Sequence, residues 1–229
     1  QRRRDADDAL VVMGGLDLGS KASIESFAAE FCARALPLTG LVCCAGVVCQ
    51  PFGRTRDGRE THFGVNHLGH FFLAHALLDE IVRTAASSGA QGRIVLVSSG
   101  AHHFTYRVRR GVARPSRGID FANLDEPEGY DAGRAYAQSK LAEVMLTAEL
   151  AERLDASEVS VVSLHPGNVV TDVVRTLPPL IQSAYRCVMS GMLLTPSEGA
   201  RAQLHAATCE PRGAPRSGAR RARCRNREF

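Results

Sequence analysis

Lysine is almost missing from this chain. Of its 28 basic side chains only Lys21 and Lys140 are lysines, so a lysine at position 140 invites a chemical reason. No run of eighteen apolar residues occurs, which excludes a spanning helix. The seven cysteines (Cys32, Cys43, Cys44, Cys49, Cys187, Cys209 and Cys224) form no CxxC pair and are odd in number. That argues against a disulfide framework or a zinc site, and for reduced thiols in an intracellular protein. No internal repeat and no linker divides the chain. The start, Gln1-Arg2-Arg3-Arg4-Asp5, has neither the apolar core of a signal peptide nor an initiating methionine, so the chain is expected to begin inside a longer one. The body is not basic either. Residues 211–229 hold seven arginines against one glutamate, a net +6 that leaves about −2 of the formal +4 for residues 1–210.

What is present reads as one domain. The 229 residues are 45% hydrophobic and 23% charged, ordinary for a globular protein. Apolar runs at 9–16, 40–44, 93–97 and 159–164 predict strands buried on both faces. Helices are predicted between them. Ser20 caps the first, with Ile24, Phe27, Ala28 and Phe31 at helical spacing. A long helix is expected over 58–85, with Phe63, Phe71, Leu73 and Leu77 among its apolar positions. Another is expected over 133–154, with Leu141, Val144, Met145 and Ala148 as its buried stripe. Further helices are expected at 170–192 and at 197–208, the latter capped by Ser197. Strands alternating with helices imply a doubly wound parallel sheet of the α/β class, Rossmann-like and three-layered. Polar residues or glycine follow each strand, at Asp17, Ala45-Gly46, Ser98-Ser99 and Pro166-Gly167. Open α/β sheets bind ligands at that edge.

Tyr136 and Lys140 lie four residues apart on the helix predicted over 133–154, on one face and within mutual reach. A phenol titrates near pH 10 and needs help to act as acid or base near neutrality. A neighbouring ammonium favours the phenolate, and arginine's planar fork does not replace that compact charge. His67, His70, His102 and His103 suggest a metal cluster, but the chemistry implied by the rest of the chain needs no metal.

Asp17-Leu18, Cys44-Ala45-Gly46, Val65-Asn66-His67-Leu68-Gly69-His70, Val97-Ser98-Ser99, Tyr136-x-x-x-Lys140 and His165-Pro166-Gly167 follow one another in order. This sequence resembles the short-chain dehydrogenase/reductase family over roughly residues 9–209. It looks most like the retinol dehydrogenase branch, which includes the WW-domain-containing oxidoreductase. The resemblance implies an NAD(P)-dependent oxidoreductase that interconverts a hydrophobic alcohol and its aldehyde or ketone. Tyr136 would be the acid/base, Lys140 would lower its pKa and hold the nicotinamide ribose, and Ser99 would bond the substrate oxygen. Asn66 would distort its helix and hold a water toward Lys140, while Ser98 would point the other way and serve structure. NADP or NAD would lie against Asp17, Cys44, Ala45, Gly46, Asn66, Tyr136, Lys140, Pro166, Gly167, Val169 and Thr171. The resemblance further allows a homo-oligomer, and a cytoplasmic place or one peripheral to a membrane. The apolar stretch Leu177–Leu194 resembles the family's substrate-covering helices, although core packing explains such spacing as well.

Three departures stand out. The family's Gly-rich turn, which cradles pyrophosphate at a helix N-terminus, does not occur, and neither do its first two strands, with the residue that selects NAD or NADP. Residues 1–210 are therefore expected to be a partial Rossmann-like domain. The family's Asn-Asn-Ala-Gly is Cys43-Cys44-Ala45-Gly46, and a thiol cannot copy an amide's paired donor and acceptor. Ser99 and Tyr136 are 37 residues apart, and Ile119–Leu124 resembles the extended loop of the retinol branch. The last residues, 211–229, read as a disordered basic arm. Arginines attract phosphate without selectivity, yet no aromatic interleaving or binding motif accompanies them, which speaks against a nucleic-acid partner. A rival reading from another class is a catalytically silent relative acting as a binding or interaction module.

Overall fold

A computed structural model describes residues 12–106, 118–167 and 194–209. Val169, Thr171, the helix expected at 170–192 and the 211–229 arm lie outside them. Three parallel strands, β1 (Gly40–Cys43), β2 (Gly92–Val97) and β3 (Val159–Leu164), form a sheet in that order. The register pairs Cys43 with Leu96 and Val97 with Leu164, so β1 and β2 end level and β3 ends beside Val97. The connections are helical: α1 (Lys21–Ala33), α2 (Gly69–Ser88), α3 (Ala132–Arg153) and α4 (Pro196–Thr208). This is the expected doubly wound α/β fold.

Alternation along the strands sends successive side chains to opposite faces. Ile94 and Leu96 of β2 join Cys43, Val159 and Val161 in a core closed by Ile81 of α2 and Leu146 of α3. Ile81, Ile94 and Leu96 are fully buried, and each such side chain stabilises the fold by about 1.5–3 kcal/mol. On the other face α4 packs across all three strands, and Arg93 donates to the Ala206 carbonyl oxygen (3.3 Å). A second cluster joins Ile24 and Ala28 of α1 to Leu73 and Leu77 of α2. Ser20 caps α1 as expected, its hydroxyl accepting from the Ser23 N–H (3.3 Å).

Four expectations about elements need correction. Residues 12–16 form no strand: Gly15 turns into the left-handed region (φ +83°), and its carbonyl accepts from the Ser23 hydroxyl (2.8 Å). The helix expected from 58 begins at Thr61, because Arg54 and Glu60 bridge across a turn first, and Phe71 is 39% exposed. The buried stripe of α3 is Ala137, Lys140, Glu143, Leu146 and Thr147, while Met145 is exposed. The polar site, rather than the apolar positions, decides which face turns inward. The cap of α4 is Thr195 and not Ser197, in a reciprocal capping box with Glu198.

Gly69 marks where α2 crosses the approach to α1. A Cβ there would come within 2.5 Å of the Leu18 carbonyl oxygen and 2.7 Å of its Cβ. Backbone cannot swing aside as a side chain can. Gly69→Ala is therefore expected to cost about 1–3 kcal/mol, read as a lowered midpoint in chemical denaturation. An unchanged midpoint would refute the close approach.

Candidate active site

Helix α3 starts at Asp131, whose carboxylate accepts from the Arg134 N–H (2.7 Å). Tyr136 and Lys140 follow one turn apart, at the C-terminal ends of β1 and β2. The Lys140 ammonium is buried and donates to the Val97 carbonyl oxygen (2.8 Å), 6.0 Å from the centre of the Tyr136 ring. Ser98 donates to the Lys140 carbonyl oxygen (2.8 Å), which ties β2 to α3. The Ser99 hydroxyl acts on the nearby Tyr136 phenol and favours its ionised form.

Asn66 enters from behind. It sits within a single π-helical turn, Phe63–Leu68, that leads into α2. Such bulges gather at functional sites. Its amide pairs with a backbone as a strand would: Oδ1 accepts from the Val47 N–H (2.8 Å) and Nδ2 donates to the Val47 carbonyl (3.0 Å). Nδ2 also donates to Ser139 Oγ (3.0 Å), and Ser139 donates to the Tyr136 carbonyl oxygen (2.8 Å). One fully buried amide thus locks the loop after β1 to the helix that carries the tyrosine. Gly46 completes the junction, because a Cβ there would lie 3.1 Å from Asn66 Oδ1 and 3.7 Å from Lys140 Nζ.

Asn66 lies behind, and not on, the wall of a cleft of about 620 Å³. Cys44, Gly46, Ser99, Tyr136, Lys140, Pro166 and Gly167 line one side, and Gln203 and Leu204 of α4 line another. Seven of the positions singled out in the sequence therefore meet in one place. Ala45 and Asp17 are not among the lining residues. Asp17 Oδ1 accepts from the Gly19 N–H (2.9 Å), and Oδ2 lies 3.3 Å from Arg56. The third departure also has a physical substitute: Asp120, in the long segment before α3, receives Arg134 as an ion pair and takes Gln138 Oε1 on its N–H (2.6 Å).

The electrostatics differ from the simple expectation. Burial pushes the Tyr136 phenol above its ordinary value, and the neighbouring Ser99 hydroxyl offsets this only in part. Burial likewise draws Lys140 below its ordinary value, against the pull of Glu143. The ammonium is turned to the Val97 carbonyl. Cys43 behaves as an inert core thiol: burial, reinforced by Glu143, raises it to about 12.

Two polar groups were not found by reading motifs. Buried Glu60 and His62 form a network with the half-buried Tyr130 beneath the site, and the His62 ring meets the Tyr136 ring edge-on at 6.2 Å. Glu60 Oε1 accepts from the His62 N–H (2.9 Å) and lies 2.8 Å from His62 Nδ1; Oε2 accepts from the Phe63 N–H (2.8 Å). The Tyr130 hydroxyl lies 3.1 Å from Glu60 Oε1 and 3.0 Å from His62 Nδ1. Nothing in residue spacing foretells that cluster. The second is Glu143, which did leave a signal: Tyr136, Lys140, Glu143 and Thr147 recur at steps of four, three and four along α3, a polar stripe on one helical face.

The chain is similar to known proteins over most of its length. The short chain dehydrogenase family model matches residues 3–110. Human retinol dehydrogenase 11 is 41% identical over 204 residues, covering 87% of this chain and 57% of its own length. The chain belongs to the short-chain dehydrogenase/reductase family. It is retinol dehydrogenase-like, and human retinol dehydrogenase 12 is 38% identical over 91% of the chain and 60% of its own length. The chain thus spans under two thirds of the length of these curated relatives. Two solved structures share the fold: a gluconate 5-dehydrogenase from Burkholderia cenocepacia (TM-score 0.60, 22% identity, 90% of this chain and 72% of that one) and the NADPH-bound carbonyl reductase from chicken fatty liver (TM-score 0.57, 23% identity, 89% and 71%). Among the described residues no three His, Cys, Asp or Glu side chains are placed to hold a metal ion, and no helix is long and apolar enough to cross a membrane.

Proposed function

We propose that the protein is an NAD(P)-dependent oxidoreductase that interconverts a hydrophobic alcohol and its aldehyde or ketone, with Tyr136 as the acid/base. The observation that carries this reading is the meeting of Ser99, Tyr136 and Lys140 in one cleft. The described residues fit the nicotinamide half of such a cofactor. Gly46 leaves backbone open beside Lys140, and Pro166 and Gly167 border the same space. The cofactor supplies or accepts the hydride.

The chain's own residues handle position and the proton. Ser99 holds the substrate oxygen against the Tyr136 hydroxyl, where the developing charge is stabilised. Tyr136 gives its proton to that oxygen in reduction and takes it back in oxidation. A raised phenol pKa suits the donor role, because the hydroxyl stays protonated until substrate arrives. A ribose hydroxyl beside Lys140 would compete with the Val97 carbonyl for the ammonium and release it toward the tyrosine. Asn66 and Ser139 keep α3 in register throughout. Apolar walls at Val42, Val47, Val48 and Leu204 favour a hydrophobic substrate.

Adding NADPH or NADH is expected to raise the thermal midpoint, since a ligand of the native state must stabilise it. At a hundred times Kd the gain is about 2.7 kcal/mol. No shift at millimolar concentration of either would favour the catalytically silent reading for this chain.

A further inference from the structure

Lys140 and Glu143 are three residues apart on α3, and both side chains are buried, at 4% and 0% exposure. An isolated buried ammonium costs far more than the fold can bear, and so does an isolated buried carboxylate. We propose that Glu143 is the buried counter-charge that keeps Lys140 an ammonium, and so a positioning residue for the Tyr136 centre. The inference rests on the oxidoreductase reading only for its catalytic consequence. The influence of one buried charge on the other can be read from the folded chain without turnover.

The surroundings favour this assignment. Among the described residues, Glu143 is the only carboxylate whose field acts appreciably on Lys140, alongside the thiols of Cys43 and Cys44 at the end of β1. Cys43 stays protonated, being raised to about 12, so it supplies no negative charge. Facing Glu143 from α2 and the π turn are His67 and His70, whose Nδ1 atoms lie 3.7 and 3.6 Å from Oε1. These approaches are longer than hydrogen bonds, and neither carboxylate oxygen has a hydrogen-bond partner. Among the described residues Glu143 thus faces both imidazoles without a hydrogen bond. Burial works against its ionisation, but the two imidazoles and the Lys140 ammonium outweigh it and keep the carboxyl below its ordinary range. The same field opposes the effect of burial on Lys140.

The chain's poverty in lysine makes the test direct. Protein labelled with [13C]lysine gives two side-chain signals, and Lys21→Arg identifies the exposed one. In Glu143→Gln the Lys140 signal is expected to titrate at lower pH than in the unaltered protein, while Glu143→Asp keeps it near the original position. An unmoved Lys140 curve in a folded Glu143→Gln protein overturns the proposal. Should Glu143→Gln fail to fold, [13C]glutamate labelling of the unaltered chain decides. A Glu143 carboxyl that is neutral at the pH where Lys140 is charged also overturns it. Neither readout needs turnover, so a silent chain and a wrong pairing give different results. Where turnover is measurable, the alkaline limb of the pH–rate profile moves to lower pH in Glu143→Gln, whereas a merely structural loss would scale the profile without moving it.

Discussion

Tyr136→Phe is expected to lower turnover by roughly 10³-fold, with cofactor affinity nearly unchanged. The substitution removes one oxygen and the proton it carries, and leaves the ring, its packing against His62 and the helix intact. A 10³-fold loss corresponds to about 4 kcal/mol of transition-state stabilisation at about 1.36 kcal/mol per decade. The test is steady-state reduction of an apolar aldehyde set beside cofactor binding by the same protein. Loss of rate with retained binding locates the defect in the proton step. Retained rate would remove Tyr136 from the mechanism, and loss of both would mean that the phenol helps to shape the cofactor site.

Glu60→Ala is expected to destabilise the fold by about 3 kcal/mol or more. Two backbone N–H groups and the His62 imidazole then lose their acceptor in a region without water access. Each buried donor left unpaired costs about 1–3 kcal/mol, a large part of a typical total stability of about 5–15 kcal/mol. Glu60 also stands at the start of the helix over Thr61, where a carboxylate suits the unpaired N–H groups. Equilibrium denaturation measures the loss, and a change below about 1 kcal/mol would contradict the network. The pH dependence has a definite sign. Burial opposes the charge on Glu60, but the bonds from His62 and Phe63 prevail and lower its pKa. Its contribution is then fully present above the unfolded value of about 4.3 and fades as the pH falls through the lower folded value. The gap in stability between the unaltered protein and Glu60→Gln should close on acidification.

Much of the site was legible because its residues sit at fixed places relative to strand ends. Ser99, Gly46, Pro166 and Gly167 each follow a strand, and a parallel sheet gathers such ends at one edge. Tyr136 and Lys140 were legible because helical geometry sets their spacing. The Glu60–His62–Tyr130 network was not, since Tyr130 reaches Glu60 across 70 positions of sequence and only packing brings them together. The inward face of α3 misled for a related reason. Apolar periodicity assumes that the buried face is greasy, whereas here Lys140, Glu143 and Thr147 are buried and Met145 is not.

The sequence by itself determined the alternation of strand and helix, the edge where chemistry collects and the identity of the tyrosine–lysine pair. Those depend on periodicity and on residues close in the chain. Only the tertiary structure decided how the surroundings act on that pair. Burial raises the pKa of Tyr136 and lowers that of Lys140, and at Lys140 it is opposed by Glu143, which faces His67 of the π turn and His70 of α2. Burial and the approach of distant charges are properties of a packed interior, and no local pattern of residues encodes them.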